Sequence, residues 1–164
     1  MPVILAKCKM RFEKGMRNDT MSRFDKHSGE FENIVDLTSL PDLTDIYELA
    51  YQVIEELPKK FRSYTHDIMI RVENFSDEQT LTSLNLMDKY DLLGLYRGIP
   101  IPLKASGSLV SVPDTIFLYR CPIIRFAEEN CETIERLVKH VMIHEIGHHF
   151  GFSDFDMEWI ERRP

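Results

Sequence analysis

The segment HEIGHHFGFSD at residues 144–154 constrains this chain more than any other feature of its sequence. His144 and His148 are four residues apart, so on a helix they share one face, with Cβ atoms roughly 6 Å apart, and can bind one Zn²⁺ together. Glu145 points about 100° round the helix from His144, beside the metal rather than on it, which suits a general base acting on metal-activated water. Gly151 permits a sharp helix exit with positive φ, after which the chain can return with a third ligand.

The same residues could instead form the solvated polar face of an ordinary helix. The neighbouring sequence favours metal binding, because almost every residue outside the motif in 140–150 is apolar or glycine. The charged residues of this helix lie earlier in the chain, so its second half is predicted to be buried. Buried Glu and His side chains are costly unless they are paired or bound to a metal.

The third ligand is sought among the acidic and histidine residues that follow His148. Asp154 is the leading candidate, because it follows the glycine turn at a suitable distance and a carboxylate oxygen is an accepted zinc ligand. Asp156 is the second candidate. The full set of alternatives comprises His149, Asp154, Asp156, Glu158 and Glu161.

The composition is that of a globular protein without nucleic-acid or membrane partners. The chain has 164 residues, of which 43% are hydrophobic and 29% charged, so one domain with a single sizeable core is expected. The net charge of −7 disfavours binding to phosphate backbones and to anionic lipid surfaces. A secretory signal and a membrane span are not predicted, and three widely spaced cysteines are typical of a reduced protein, so a cytoplasmic location is expected.

Two parts of the chain differ in pattern. Residues 11–30 are charged and lack a hydrophobic period, so residues 1–40 are predicted to be an N-terminal extension that is partly disordered, and residues 41–164 the folded domain. Thr44 is the predicted N-cap of the first helix. Helices are predicted over 44–57, 77–84, from about 130–133 to 150, and over 155–162, strands over 66–72 and 115–119, and a short helix or turn over 122–126.

Residues 91–103 are predicted to be extended. Pro100 and Pro102 are two residues apart, so their missing N–H groups would face the same way, which an edge strand tolerates and a central strand does not. The element order indicates an α+β fold in which a small mixed sheet packs on the helix that carries HExxH. An edge strand beside a zinc cleft could bind an extended peptide by strand addition.

Three segments resemble the bacterial minimal zincin family of predicted zinc metallopeptidases. They are HEIGHHFGFSDFDM from residue 144, DLLGLYRGIP from residue 91 and RLVKHV from residue 136, and the likeness covers roughly residues 44–160. The resemblance implies a compact zincin-like core. It also implies that His144, His148 and Asp154 bind zinc and that Glu145 is the catalytic base.

The leading functional hypothesis is a zinc-dependent metallopeptidase that acts on peptides or proteins. Glu145 would be its general base, and Tyr96 or Arg97 could stabilise the oxyanion, unless these two have ordinary surface or packing roles. A second hypothesis is a non-catalytic zinc-binding or protein-interaction module on a zincin scaffold. A third is a metal-dependent RNA-processing hydrolase, against which Glu145, Asp154 and the acidic charge all argue.

Overall fold

Helices and strands alternate irregularly along the chain in the computed structural model, which describes residues 4–6, 40–104 and 113–161. The strands are β1 (Ile4–Ala6), β2 (Met69–Glu73), β3 (Leu92–Arg97) and β4 (Thr115–Tyr119). The helices are α1 (Leu43–Glu56), α2 (Lys59–Arg62), α3 (Glu78–Ser83), α4 (Ile101–Lys104), α5 (Arg120–Asn130), α6 (Ile134–His149) and α7 (Asp154–Glu161). No helix in these described ranges is long and apolar enough to cross a membrane.

The strands form one mixed sheet in the order β1-β3-β4-β2. β2 runs parallel to β4, whereas β3 is antiparallel to β4 and β1 is antiparallel to β3. Every residue of β4 is buried, with Ile116 and Leu118 packed in the main core and Phe117 and Tyr119 in a smaller cluster. These features confirm the predicted α+β fold with a small mixed sheet.

α6 is the central helix of the main core. Leu137, Val138, Val141 and Met142 of this helix are fully buried, and they pack in one cluster with side chains of α1, α5, β3 and β4. The second half of α6 is therefore surrounded by apolar groups, as the sequence predicted. The motif residues of this half are buried with it, and this sets the electrostatics of the site.

Two predictions about local structure were wrong. Asp42, not Thr44, caps α1: its carboxylate accepts hydrogen bonds from the N–H groups of Thr44 and Asp45, the latter 2.9 Å away. The segment 91–103 is not one edge strand, because β3 ends at Arg97 and lies between β1 and β4. Pro102 lies in the first turn of α4, where the N–H that proline lacks would have no helical partner. The prolines therefore give no information on which strand lies at the edge of the sheet.

The boundary predicted at residue 40 stays a prediction. Within the N-terminal extension the structure describes residues 4–6 and Leu40, and residues 4–6 form β1 on β3. The disorder expected of residues 11–30 falls outside the described residues.

Gly94 lets α6 lie very close to β3. A Cβ at this position would be 2.4 Å from Val141 Cγ1 and 3.3 Å from the carbonyl oxygen of Phe117. Replacing Gly94 by Ala should therefore push α6 away from the sheet. We expect the free energy of unfolding, measured by chemical denaturation, to fall by roughly 2 kcal/mol, within the range of about 1–3 kcal/mol for overpacked cores.

A double mutant tests whether this contact causes the loss. Adding Val141→Ala to the Gly94→Ala protein removes the clashing methyl groups, so the two substitutions together should cost less than the sum of their separate effects. Strictly additive losses would show that the close approach of β3 and α6 does not limit the packing.

Candidate metal and catalytic site

The turn after α6 brings a carboxylate back to the helix. α6 has Thr133 as its N-cap, within the predicted start region, and ends at His149. Gly151 follows with φ +95°, the left-handed conformation that the sequence predicted for the helix exit. α7 then begins at Asp154, so this side chain faces the end of the helix that the chain has just left.

Three predicted ligands lie together. One side-chain donor atom from each of His144, His148 and Asp154 lies within 4.8 Å of the others. Asp154 Oδ1 is 3.2 Å from His144 Nε2 and 3.5 Å from His148 Nε2. His148 Nε2 is buried and has no hydrogen-bond partner within the described part of the chain. Two imidazole nitrogens and one carboxylate oxygen are a ligand set that suits Zn²⁺, so the residues fit this metal.

The orientation of His148 is set from its other side. Its Nδ1–H donates to the carbonyl oxygen of Phe152 at 2.7 Å, which leaves the lone pair of Nε2 facing Asp154. Burial lowers the pKa of His148, so the imidazole is neutral. A metal requires a neutral imidazole, and a carbonyl that accepts its second N–H is the usual way in which proteins orient such a ligand.

Glu145 is fully buried beside the three predicted ligands. Its Oε2 accepts a hydrogen bond from the backbone N–H of Tyr96 at 2.7 Å. Its Oε1 has no hydrogen-bond partner among the residues that the structure describes. Burial raises the pKa of Glu145 to about 8, against the smaller opposing effect of His144. Such a carboxyl group is held in place by one oxygen and can exchange a proton at the other.

A comparison with family models assigns the chain. The model described as "zincin-like metallopeptidase" matches residues 65–163, which include β2 to β4, α6 and the three predicted ligands. The chain belongs to the zincin-like metallopeptidase family. This confirms the resemblance noted in the sequence, and the family implies zinc as its metal and a metallopeptidase as its function. No curated protein matches the chain.

Side-chain contacts distinguish Asp154 from Asp156 and His149, two other candidates for the third ligand. Asp156 accepts hydrogen bonds from the N–H and the hydroxyl group of Ser153, and its own N–H donates to the Ser153 hydroxyl, so the two residues form a capping box at the start of α7. His149 lies elsewhere, because its Nε2 donates to the carbonyl oxygen of Tyr64 at 2.9 Å. Asp154 is the carboxylate that lies with the two histidines.

An open cleft of about 540 Å³ adjoins His148. Tyr96 and Arg97 both line this cleft, but their side chains differ in burial and in hydrogen bonding. The Tyr96 hydroxyl is buried and donates to Asp114 Oδ1 at 2.6 Å, and burial together with this carboxylate raises its pKa far above the ordinary value. Arg97 is exposed and donates from Nη2 to Thr80 Oγ1 at 3.1 Å.

Asp114 and Lys104 were not predicted from the sequence to belong to the site. Asp114 is buried, and it contacts Tyr96, Lys104 and His149. Burial alone would raise the pKa of Asp114, but hydrogen bonds from Lys104 and Tyr96 outweigh it and hold this pKa below its ordinary value. These residues are far apart in the sequence, so no local spacing indicates the cluster.

The raised pKa of Glu145 makes the stability of the metal-free protein depend on pH. The pKa of Glu145 is about 8 in the folded protein, against an ordinary value of 4.5. Its stabilising contribution to the free energy of unfolding is therefore fully present below pH 4.5 and is lost as the pH rises through about 8. Gln cannot ionise. In chelator-treated protein at pH 8, Glu145→Gln should therefore raise the free energy of unfolding.

The pKa shift of Glu145 sets an upper limit on the free energy of unfolding that Glu145→Gln can add. At about 1.4 kcal/mol per unit of pKa it is at most about 5 kcal/mol, and relaxation around the carboxylate reduces it to the order of 2 kcal/mol. Urea unfolding at pH 5 and pH 8 measures the gain, with Glu135→Gln on the exposed part of α6 as the control. An equal gain at both pH values would contradict the assignment of a raised pKa to Glu145.

Proposed function

We propose that this protein is a zinc-dependent metallopeptidase that hydrolyses peptide bonds with Glu145 as general base. One observation carries the proposal: a buried carboxylate with one oxygen held by a backbone N–H lies directly beside a cluster of two imidazoles and a carboxylate. Burial of three ionisable groups, His144, Glu145 and His148, is costly for an ordinary helix, and it is expected where they serve a metal and a reaction.

His144, His148 and Asp154 would hold the zinc. Zinc, when bound, supplies Lewis acidity that polarises the scissile carbonyl and lowers the pKa of water. The protein's part is to present its ligands in the right form. The hydrogen bond from His148 Nδ1 to Phe152 fixes the imidazole in the tautomer whose Nε2 can coordinate.

Glu145 would move the proton. Its Oε1 accepts a proton from the attacking water and passes it to the nitrogen of the leaving amine, while Oε2 stays bound to the Tyr96 N–H. A divalent cation on the neighbouring ligands would lower the pKa of Glu145 from about 8, because an opposite charge favours the carboxylate. Burial and the cation together bring this pKa into the range where the group can both take and return a proton.

The cleft beside His148 would bind the substrate, which we propose to be a peptide or protein. Its walls carry the apolar side chains of Leu84, Leu95, Leu103 and Phe152, and Arg97 lies in the same lining. Arg97 is the better of the two predicted oxyanion candidates, since the Tyr96 hydroxyl already donates to Asp114. The free thiols of Cys121 and Cys131 support a reducing, cytoplasmic location.

A non-catalytic zinc module is the second candidate function. The observation that favours it is the set of exposed apolar side chains at α7, where Phe155 is 76% and Ile160 45% exposed. Such side chains are typical of surfaces that bind another protein. In that case zinc would stabilise the turn into α7, and the site would have four protein ligands.

Zinc-edge X-ray absorption of the zinc-loaded protein separates the two functions. The peptidase predicts two imidazoles and oxygen ligands, with an exchangeable position that changes when a hydroxamate is added. A zinc shell filled by four protein ligands and unaffected by the hydroxamate would contradict the peptidase and support the structural role.

A further inference from the structure

We propose that Asp114 is a positioning residue that links β3, α4 and α6. In this way it fixes the backbone N–H of Tyr96, which holds Glu145, and the helix α4, which covers the turn that leads to Asp154. The inference rests on the proposed function, because it concerns the geometry of the same site. Asp114 itself lies just before β4 and is not among the predicted ligands.

The first connection runs to the base. The Tyr96 hydroxyl donates to Asp114 Oδ1 at 2.6 Å, and the backbone N–H of the same tyrosine donates to Glu145 Oε2 at 2.7 Å. Tyr96 is therefore held at both ends, by Asp114 through its ring and by Glu145 through its backbone. Loss of the hydroxyl anchor would let this residue move, and the carboxylate of the base would move with it.

The second connection runs to the wall of the cleft. Lys104, at the end of α4, forms an ion pair with Asp114 Oδ2. Pro102 of the same short helix packs over Gly151, where a Cβ would lie 2.9 Å from Pro102 Cγ. Gly151 is the turn residue that returns the chain to Asp154. Lys104 thus holds α4 over the turn that carries the third predicted ligand.

The third connection runs to α6. His149 follows the predicted ligand His148, and its Nδ1 lies 3.2 Å from the Tyr96 hydroxyl and 3.8 Å from Asp114 Oδ2. Its Nε2 donates to the carbonyl oxygen of Tyr64. Tyr64 therefore holds the end of the helix by a hydrogen bond on one side, and the Tyr96 ring packs edge-on against His149 on the other, with ring centroids 5.6 Å apart.

A buried carboxylate such as that of Asp114, even when it is paired with the partly exposed Lys104, is a poor way to stabilise a fold. Apolar side chains of similar volume often give equal or greater stability, because burying charges has a large desolvation cost. Hydrogen bonds and ion pairs are, however, directional, and they hold groups in one geometry. The three partners of Asp114 lie on elements that carry or cover parts of the site, which is the pattern expected of a positioning role.

Three substitutions separate the connections. Tyr96→Phe removes the hydroxyl alone and should lower kcat about tenfold with KM within about twofold, a part of the roughly 10²–10⁴-fold that a general base contributes. Lys104→Met keeps the side-chain length and should mainly raise KM, by about fivefold, since it frees the cleft wall and the turn that α4 covers, while kcat falls less than in Tyr96→Phe. Asp114→Asn should produce both changes.

Two matched controls separate positioning from stability. Tyr119→Phe alters another buried tyrosine, and Lys139→Met alters a lysine in an exposed ion pair with Glu56. Both controls should keep the native kcat and KM. Equal kinetic effects in each variant and its control, or native kinetics in all three variants, would overturn the inference.

The visible absorption of the Co²⁺-loaded protein provides a readout that does not need activity. Asp114→Asn and Lys104→Met should change its ligand-field bands, whereas the two controls should not. If the native protein binds Co²⁺ but cleaves no peptide, changed bands still support the positioning role while the proposed peptidase fails. Unchanged bands in both variants would overturn the positioning role, whether or not peptides are cleaved.

Discussion

Replacing Glu145 by Gln is expected to lower kcat for peptide hydrolysis by at least about 10³-fold, the scale on which a general base contributes. Gln has nearly the same shape and can still accept the hydrogen bond from the Tyr96 N–H through its carbonyl oxygen. It cannot take a proton from the attacking water. The rate is measured with a fluorogenic peptide or by mass spectrometry of a confirmed substrate.

A loss of activity in Glu145→Gln identifies the base only if the variant still binds zinc. Zinc should remain bound at the native stoichiometry, because Glu145 lies beside the ligand cluster rather than within it. Glu135→Gln, on the exposed first turn of the same helix, should keep the native rate. Hydrolysis by Glu145→Gln at the native rate, with zinc bound, would rule out Glu145 as the base.

Replacing Asp154 by Ala is expected to weaken zinc binding by at least about 100-fold. The substitution removes one of three protein ligands, and even indirect partners of a metal ligand are worth about 10–100-fold in affinity. His144 and His148 would remain, so weak binding should persist. Competitive titration of the metal-free proteins against a zinc chelator measures the difference.

Asp156→Ala is the matched control for this prediction. Asp156 bonds to Ser153 and not to the histidines, so its loss should slightly destabilise the start of α7, with a much smaller effect on zinc than Asp154→Ala. If Asp154→Ala retained native affinity while Asp156→Ala lost it, the third ligand would be Asp156. The ligand set described above would then be wrong.

The predicted ligands could be found from the sequence because they are close together in the chain. His144 and His148 share a helix face through the period of 3.6 residues, and Asp154 follows only six residues later, after a glycine turn. Local geometry alone therefore places them near one another. The burial of Glu145 could also be predicted, since the residues around it on α6 are apolar.

The remaining features depend on contacts between distant segments. Asp114 meets Tyr96 and His149 only because β4 and β3 pair and α6 packs on the sheet. The edge strand was predicted wrongly because the missing N–H groups of Pro100 and Pro102 restrict a strand only if the prolines lie within it. β3 ends before both prolines. Neither the strand pairing nor the strand boundary is encoded in a short local pattern.

β1 adds a feature that bears on substrate binding. The segment of β3 was predicted to be an edge strand that could bind an extended peptide, but β1 pairs with β3 at Leu95 and Gly94. In the described sheet the outer strands are β1 and β2. A peptide that bound to β3 by strand addition would have to displace β1, so the cleft lined by Leu95 and His148 is the more accessible place for a substrate.

Digestion of a peptide library by the metal-free and the zinc-reloaded protein tests the proposed peptidase most directly. Zinc-reloaded native protein should cleave defined peptide bonds, the chelated protein should not, and zinc-reloaded Glu145→Gln protein should be inactive at the same bonds. Cleavage that is equal with and without zinc, or that persists in Glu145→Gln, would contradict the proposed peptidase. So would a zinc-loaded native protein that cleaves no peptide in the library.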